Sequence, residues 1–338
     1  MKSKPRKALG GALCRRFLVP PFSILDARQG YWQKRKAAWI ALGIHGQRGR
    51  ADELTYDSAT SHPGFYLQKR ATEERLGRRL GTPEFREKYF VPRGRLTGTS
   101  VFDPVLAELV YRWFCVPGGS VLDPFAGEST KGVVAAYLGY QYTGIELRHE
   151  QIRVNQAQSR KIGVRPRWIK GDSLHLARLL PRRTSYDLVF TSPPYYNLEV
   201  YSSRKDDGSA FQTYEGFLEW LAHIFRQAAE RLKDDRFFVV KVGEIRDRRG
   251  ACRNFVGDAV ACLRDDCGLT YVNEAILVTP ASSLPIRAPR PFAVGRKLGK
   301  THQNLLVFYK GEPREICHHF LETIEYADLE NTSQAPAR

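Results

Sequence analysis

The stretch Tyr186-Asp-Leu-Val-Phe-Thr-Ser-Pro-Pro-Tyr-Tyr-Asn197 carries the strongest structural signal in this sequence of 338 residues. Its apolar run Leu188-Val-Phe190 has the length and composition of a buried strand in a parallel sheet. The prolines that follow fit neither a helix nor a strand ladder, so the backbone has to turn where the strand ends. Open α/β sheets bind their ligands at that end of the strands. The stretch therefore predicts an α/β sheet with a functional site at this turn.

A strand, a tight turn and a helix start are also predicted in Gly119-Ser-Val-Leu-Asp-Pro-Phe-Ala-Gly-Glu-Ser-Thr130. Asp123 ends the strand, and Gly127 permits the turn. Ser129 and Thr130 open the next helix. Glycine lets the backbone approach a ligand, and a helix start offers free N–H groups to a carboxylate. The segment is therefore a candidate ligand-binding loop.

Two further acids stand where the next two predicted strands end. Glu146 closes Tyr140-Gln-Tyr-Thr-Gly-Ile-Glu146, and Asp172 closes Arg167-Trp-Ile-Lys-Gly-Asp172. An acid about 20 residues beyond the first loop is placed to bind the hydroxyls of a ribose. Each acid alone is more often a helix cap, but three acids at successive strand ends predict a nucleotide-like ligand.

The turn and the loop resemble the motifs of DNA methyltransferases that act on exocyclic amines. Ser192-Pro-Pro-Tyr195 matches their catalytic consensus, Asp/Asn/Ser-Pro-Pro-Tyr/Phe. Asp123-Pro-Phe-Ala-Gly127 matches their S-adenosylmethionine loop, Asp-Pro-Phe-x-Gly-Ser-Gly-Thr, whereas Glu128-Ser129 departs from it. Further stretches are similar to phage and prophage DNA methylases: Val19-Pro-Pro-Phe22, Asp26-Ala-Arg-Gln-Gly30, Arg253-Asn-Phe-Val256 and Gly295-Arg-Lys-Leu-Gly-Lys-Thr-His-Gln303.

The resemblance implies a catalytic role for Ser192, Pro193, Pro194 and Tyr195. The Ser192 hydroxyl and the Pro193 carbonyl would accept the two hydrogens of an amine, and Tyr195 would stack on a base swung out of the duplex. Such acceptors work only when they are already aimed, which the rigid prolines provide. A serine before Pro-Pro-Tyr favours N4 of cytosine over N6 of adenine as the methylated atom.

The cofactor implied by the resemblance is S-adenosylmethionine. Glu146 would bind the ribose, and Asp172 would lie near the adenine amine. The residues expected to bind the cofactor are Thr99, Ser100, Asp123, Pro124, Phe125, Ala126, Gly127, Ser129, Thr130, Glu146 and Asp172. No metal site is expected, because the six cysteines form no Cys-x-x-Cys pair and no histidine lies at ligand spacing from two of them.

The charge of the chain indicates a polyanionic partner. Its 53 Lys and Arg against 36 Asp and Glu give a formal net charge of +17, which favours nucleic acid. Residues 1–50 carry twelve cations and one acid. Residues 281–301 contain no acid and are interrupted by Pro and Gly, which predicts an irregular loop that clamps DNA. Its cations are Arg287, Arg290, Arg296, Lys297 and Lys300. The expected partner is double-stranded DNA with one base flipped out.

Three regions are expected along the chain. Residues 1–97 form a basic, mostly helical and partly flexible extension, residues 98–312 form the catalytic domain, and residues 313–338 form a C-terminal helix and tail. The resemblance implies a Rossmann-like methyltransferase fold for the catalytic domain. In that fold seven mostly parallel strands alternate with helices, and the last two form an antiparallel hairpin at the sheet edge.

Other functions remain open at this point. The runner-up is an adenine-N6 DNA methyltransferase, and a methyltransferase for RNA or a protein amide is a further alternative. A DNA-binding protein that keeps the fold without turnover is permitted by the departure at Glu128-Ser129. The cysteine usage, with no signal peptide or membrane-length apolar run in the sequence, favours a reducing cytoplasm. The resemblance to phage and prophage methylases implies that this is the cytoplasm of a bacterium or a phage-infected host.

Overall fold

A computed structural model of the chain describes residues 12–44, 65–81, 84–85, 88–89, 102–196, 211, 213–247, 249–281 and 284–320. Several predicted features lie outside these residues. They are the basic arm up to residue 11, Thr99, Ser100, Asn197, the loop from 198 to 210 and the C-terminal tail from 321.

The described residues form one eight-stranded sheet in the order β1-β7-β8-β6-β5-β2-β3-β4. β8 runs antiparallel to its neighbours β6 and β7, and every other pairing is parallel. The strands are β1 Ile24–Asp26, β2 Ser120–Asp123, β3 Gln141–Glu146, β4 Arg167–Lys170, β5 Tyr186–Thr191, β6 Leu232–Val242, β7 Thr270–Val278 and β8 His302–Lys310.

The predicted α/β class is confirmed, with two corrections to the sheet. The seven predicted strands are β2 to β8, but the sheet has an eighth strand, β1, contributed by the N-terminal extension. β1 pairs in parallel with β7, so the antiparallel hairpin of β7 and β8 does not lie at the edge of the sheet. The three-residue β1 was missed because so short a strand has no readable alternation.

Helices cover both faces of the sheet. They are α1 Ala12–Phe17, α2 Gly30–Ala41, α3 Phe65–Leu76, α4 Pro104–Phe114, α5 Thr130–Tyr137, α6 His149–Ile162, α7 Leu176–Leu179, α8 Tyr214–Glu230, α9 Phe255–Ala261, α10 Leu284–Arg287, α11 Pro289–Gly295 and α12 Ile316–His319. Short turns of 3-10 or π geometry occupy Ser173–His175, Cys262–Asp266 and Pro313–Glu315. No helix among the described residues is long and apolar enough to cross a membrane.

Strand β5 lies at the centre of the packing, since all six of its residues are buried. Its alternating side chains enter two cores. Phe190 packs edge-on against Tyr111 of α4 on one face, at a centroid distance of 5.6 Å. Val189 belongs to the other core, together with Phe217 of α8 and Phe255 of α9. The strand that leads into the Pro-Pro turn is therefore held rigidly on both sides.

A buried carboxylate fastens the N-terminal extension to the catalytic sheet. Glu108 of α4 is fully buried and accepts hydrogen bonds from Arg35 at 2.8 and 2.5 Å and from the Trp39 indole at 2.7 Å. Arg112, one turn along α4, donates a further bond at 2.9 Å. Because α2 and β1 are neighbours in the chain, this cluster also holds the edge strand in place.

We expect Glu108→Ala to lower the free energy of unfolding by roughly 3–5 kcal/mol, because it leaves Arg35 and Arg112 partly buried without their counter-charge. Urea unfolding followed by tryptophan fluorescence measures this directly. Glu74→Ala is the matched control, since its pair with Arg70 on α3 is largely exposed, and it should leave the unfolding midpoint unchanged. Equal midpoints for the two variants would contradict a structural role for Glu108.

Candidate active site

Three acids and the Pro-Pro turn meet at the carboxyl edge of the sheet. β2 pairs with β3 on one side and with β5 on the other, and β3 pairs with β4. After β2, the chain adds β3 and β4 on one side of β2 and then returns to form β5 on its other side. This reversal of strand order creates a crevice between β2 and β5. The structure brings Asp123, Glu146 and Asp172 to the ends of successive neighbouring strands, as predicted, with Ser192 across the crevice.

The Asp123 carboxylate is fully buried and is bound on both oxygens by groups of the chain. Oδ1 accepts hydrogen bonds from the backbone N–H of Phe125 at 3.1 Å and from the Thr191 hydroxyl at 2.8 Å. Oδ2 accepts one from the Tyr142 hydroxyl at 2.7 Å and lies 2.6 Å from the Lys131 ammonium. This geometry favours a positioning role for Asp123 over direct contact with a ligand.

Glu128, the residue that departs from the family motif, points into the protein. Its Oε2 accepts hydrogen bonds from the Thr130 N–H at 2.8 Å and the Thr130 hydroxyl at 2.7 Å. Its Oε1 accepts one from the Phe102 N–H at 3.3 Å. The expectation that the start of α5 offers free N–H groups is therefore wrong at Thr130, because a side-chain carboxylate of the chain already occupies that donor.

Gly127 adopts the left-handed backbone conformation predicted for the turn, with φ of +58°. A Cβ placed on it would meet no atom within 4 Å, so this side of the loop is open. Two amide side chains of α6 hold the loop from behind. Asn155 donates to the Gly127 carbonyl at 2.8 Å, and Gln158 accepts from the Ser129 hydroxyl at 2.8 Å. The loop is thus fixed on the protein side and accessible on the other.

Glu146 ends β3 with its side chain only 11% exposed. Its Oε1 accepts a hydrogen bond from the Arg148 N–H at 2.8 Å. Burial raises the pKa of the Glu146 carboxyl, against the lowering effects of the Arg148 N–H and charge and of the Gly127 N–H. A carboxylate has about four lone-pair positions, so these two N–H groups leave room for two hydroxyl donors.

Asp172 and Phe125 border the same crevice. Asp172 Oδ1 accepts from the Leu174 N–H at 2.9 Å and so caps the short 3-10 turn that follows β4. Ser173 donates to the Pro124 carbonyl, which ties this turn to the loop after β2. The Phe125 ring packs against Trp220 of α8 at a centroid distance of 5.4 Å. Pro124, Phe125 and Ala126 therefore form a firmly supported wall.

The Pro-Pro turn leaves β5 directly beside this wall. Pro193 is buried, and Ser192 is half-buried with no hydrogen-bond partner for its hydroxyl among the described residues. The Tyr195 ring lies edge-on to Phe255 at a centroid distance of 6.3 Å, and the Gln303 amide contacts its hydroxyl at 3.4 Å. The turn thus presents a hydroxyl that has no partner within the described part of the chain, beside a supported aromatic ring.

A family model described as DNA methylase matches residues 100–158 and 186–336, which is more than half of the chain. The chain belongs to the DNA methylase family. Together with the mostly parallel sheet, this match confirms the predicted Rossmann-like methyltransferase fold. No curated protein matches the chain.

Solved structures with a similar chain include TrmN from Thermus thermophilus, at 18% identity and a TM-score of 0.42, which covers 62% of this chain and 49% of that one. A candidate SAM-dependent methyltransferase from Streptococcus mutans has 17% identity and a TM-score of 0.42, covering 65% and 52%. A candidate DNA modification methylase, also from Thermus thermophilus, has 22% identity and a TM-score of 0.32, covering 42% and 52%. The chain spans about half the length of each.

The basic segment before β8 is described from 284 onward and at 281. The expectation of an irregular loop is wrong in part, since the segment contains the short helices α10 and α11. Pro289 stands in the first turn of α11, where proline begins a helix and does not break it. Arg287, Arg290 and Arg296 are exposed, and Lys300 donates to the Glu244 carbonyl at 3.2 Å. Burial lowers the pKa of the Lys300 ammonium, against the raising effect of the Glu244 charge.

Some residues around the candidate site were not found from the sequence. Thr191, Tyr142 and Lys131 were missed because their contacts with Asp123 join segments far apart in the chain. The sequence reading also passed over the buried Lys241 of β6, although a lysine at the end of an apolar strand is a readable signal. Its ammonium lies 4.7 Å from the Phe102 ring centroid. Among the described residues, no cluster of His, Cys, Asp or Glu side chains could hold a metal ion.

We expect Asp123→Asn to lower the free energy of unfolding by roughly 3–5 kcal/mol, because the change keeps the side-chain shape but leaves the buried Lys131 ammonium without its counter-charge. Urea unfolding at neutral pH provides the measurement. The matched control is Asp265→Asn, whose pair with Arg264 is exposed, and its midpoint should equal that of the parent. A stable Asp123→Asn variant would show that the carboxylate does not hold the loop to β5.

Proposed function

We propose that the chain transfers a methyl group from S-adenosylmethionine to an exocyclic amine of a DNA base, with N4 of cytosine favoured. The observation that carries this proposal is the position of Ser192-Pro-Pro-Tyr195 at the carboxyl end of β5. It stands directly across the crevice from the loop that Asp123 organises. An amine acceptor and a candidate cofactor loop therefore share one cleft.

The residues around the crevice fit S-adenosylmethionine. The open side of Gly127 admits a ligand close to the backbone, and Glu146 has acceptor capacity for two ribose hydroxyls. Asp172 has a second carboxylate oxygen for the adenine amine. Glu128 occupies the Thr130 N–H, so the proposed contacts of Ser129 and Thr130 would depend on their other groups or on Glu128 itself. When bound, S-adenosylmethionine supplies a methyl group on a positively charged sulfur.

The chemistry assigned to the chain is the positioning of the amine. Conjugation with the ring holds the lone pair of the amine nitrogen, so the two N–H hydrogens need acceptors that favour a tetrahedral nitrogen. The Ser192 hydroxyl and the Pro193 carbonyl are these acceptors in the proposal, and Pro194 keeps them aimed. Tyr195 would stack on the flipped base, and the packing of Phe255 against its ring limits its motion.

Duplex DNA is the proposed partner because the cations lie on the side of the crevice. The segment from 281 to 301 leaves β7 and returns to β8 at the carboxyl edge that also carries Ser192. Arg287, Arg290, Arg296, Lys297 and Lys300 would contact phosphates there, where they position the duplex without reading its sequence. We place the site of action in the cytoplasm of a bacterium or a phage-infected host.

The alternative of a DNA-binding protein that keeps the methyltransferase fold without turnover loses its main support in this geometry. Glu128 is turned inward and caps α5, so the residue that departs from the motif does not fill the crevice. Cytosine N4 is favoured by Ser192, and adenine N6 is the alternative product of the same site.

The deciding experiment incubates the full chain with plasmid DNA and S-adenosylmethionine carrying a labelled methyl group, then digests the DNA to nucleosides. Labelled N4-methyldeoxycytidine is expected, and N6-methyldeoxyadenosine would move the assignment to adenine. Labelled 5-methyldeoxycytidine would overturn the mechanism, since that product requires attack through carbon. Binding of cofactor and DNA without any labelled nucleoside would support the alternative without turnover.

A substitution at Glu146 should separate cofactor binding from stability. Glu146→Gln removes the charged acceptor and should weaken S-adenosylmethionine binding by about 1–3 kcal/mol, measured by isothermal titration calorimetry. Folding disfavours the charged form of a carboxyl whose pKa is raised, so this charge lowers stability above the ordinary glutamate pKa. The loss disappears as the pH falls through the raised pKa.

The Tm of Glu146→Gln without cofactor at pH 7 should therefore equal or exceed that of the parent, and the difference should vanish in acid. A variant that loses stability at neutral pH while keeping its cofactor affinity would contradict the assigned role.

A pair of substitutions at Tyr195 tests the proposed base contact. Tyr195→Ala should lower kcat/KM for DNA methylation by roughly 1–3 kcal/mol in free energy, the usual value of a base stacked on an aromatic ring. Its affinity for S-adenosylmethionine should stay at the parental value, since the ring contacts the base and not the cofactor. Tyr195→Phe is the matched control, because it keeps the ring and loses only the hydroxyl near Gln303. Parental rates for Tyr195→Ala would place the base elsewhere.

A further inference from the structure

The segment before β8 exposes more apolar surface than its surroundings. Ile286 is 68% exposed, Phe292 46%, Val294 84% and Leu298 75%. Among the described residues, no other large hydrophobic side chain is as exposed as Ile286, Val294 or Leu298. Single exposed hydrophobic residues are ordinary on protein surfaces, but a group of them within one short segment marks a binding surface.

Cations surround these apolar side chains. The segment has five Lys and Arg and no acid, and none of the five forms an ion pair with a described residue. The Arg296 guanidinium lies over the Phe292 ring, 5.4 Å from its centroid. A partner that fits this surface has to be polyanionic and has to offer apolar area between its charges. The base stack of duplex DNA does so once a base step is opened.

The base of the segment adjoins the proposed catalytic turn. Thr279 donates its N–H to the Thr301 carbonyl at 2.8 Å, which closes the segment at its neck. A Cβ placed on Gly243 would lie 2.9 Å from the Lys300 ammonium and 3.3 Å from the Tyr195 hydroxyl, so these two side chains flank the same glycine. Leu298 lies two residues before Lys300 in the chain, and Lys300 is the residue that lies near Tyr195.

The backbone near Leu298 is held by packing on its other side. A Cβ on Gly299 would come within 2.7 Å of Leu284, so the two residues are in close contact. The Lys297 ammonium lies against Gly250, in the turn that follows β6. Gly299, the next residue, is thus packed against Leu284, whereas the Leu298 side chain is 75% exposed.

We propose that Leu298 is an apolar wedge that enters the base stack of duplex DNA beside the target base. Val294 is exposed on the same segment, and Arg296 and Lys300 would bind the flanking phosphates. The proposal rests on the proposed function, because it supplies the opening that lets a base leave the stack and reach Tyr195. Apolar side chains inserted between base steps unstack and kink DNA in this way.

A basic surface with exposed apolar side chains also suits an anionic membrane, and a second copy of the chain is a further possible occupant. The net charge of +17 opposes association of two copies. The approach of both Lys300 and Tyr195 to Gly243 favours DNA over a membrane, because it places the base of the segment beside the crevice that would hold the target base.

The first test is unwinding, which needs neither cofactor nor methyl transfer. Closed circular plasmid is relaxed by a topoisomerase in the presence of the full chain, and the topoisomers are resolved after protein removal. The parent should shift the topoisomer distribution. Leu298→Ala should reduce that shift at least about threefold, and Leu298→Met, which keeps an apolar wedge, should retain it. Ile40→Ala is the control, since Ile40 is 46% exposed on α2 and lies outside the segment.

The second test uses duplex oligonucleotides that contain the methylation site mapped in plasmid DNA. Leu298→Ala should methylate the fully paired duplex about 10-fold more slowly than the parent, since opening the stack is the step that it loses. Placing an abasic site opposite the target base should restore the rate of Leu298→Ala to within about threefold of the parent, because the base is then already unpaired.

An unchanged topoisomer shift in Leu298→Ala would overturn the wedge, as would a loss of rate that the abasic duplex does not restore. The wedge would also be overturned if Leu298→Ala lost binding to phosphatidylserine vesicles, or self-association in sedimentation, while its unwinding of DNA stayed intact. If the topoisomer shift depends on Leu298 but the parent makes no methylated nucleoside, the wedge is supported and the proposed function is wrong.

Discussion

The contacts of the Asp123 carboxylate are the constraint on which the site depends. They join the loop after β2 to Thr191 of β5, Tyr142 of β3 and Lys131 of α5. A buried carboxylate is tolerated only when hydrogen bonds and an opposite charge compensate for its lost hydration, and here they do so on both oxygens. Since Thr191 immediately precedes Ser192, the same group sets where the candidate cofactor loop and the Pro-Pro turn stand relative to each other.

Side chains of α6 and α8 support the loop after β2 from the protein interior. α6 holds the loop with Asn155 and Gln158, and α8 holds Phe125 through Trp220. Glu128, the residue that departs from the family motif, accepts a hydrogen bond from Thr130 at the start of α5 and so supports this helix from inside the fold. These groups leave one side of Gly127 open, which is the condition for a backbone to approach a ligand closely.

The buried charges and the exposed cations of the segment before β8 have different surroundings. Buried charges, such as Glu108 and Lys131, are paired and hold elements together. The cations of the segment before β8 form no ion pair with described residues and are therefore available for phosphates. Their apolar neighbours Val294 and Leu298 are exposed on the same segment.

Local chemistry was enough to predict the strands from β2 to β8, the acids at their ends and the Pro-Pro turn, because apolar runs, turn residues and spacing are properties of short segments. The resemblance to the family motif singled out Glu128-Ser129 as a departure, though not the direction in which Glu128 points. Tertiary structure alone decided that β1 extends the sheet beyond β7, since a strand of three residues is defined by its partner. It also decided which donors surround Asp123 and Glu108, because those contacts join residues far apart in the chain, and no local pattern records which distant side chain will supply a buried carboxylate with its counter-charge.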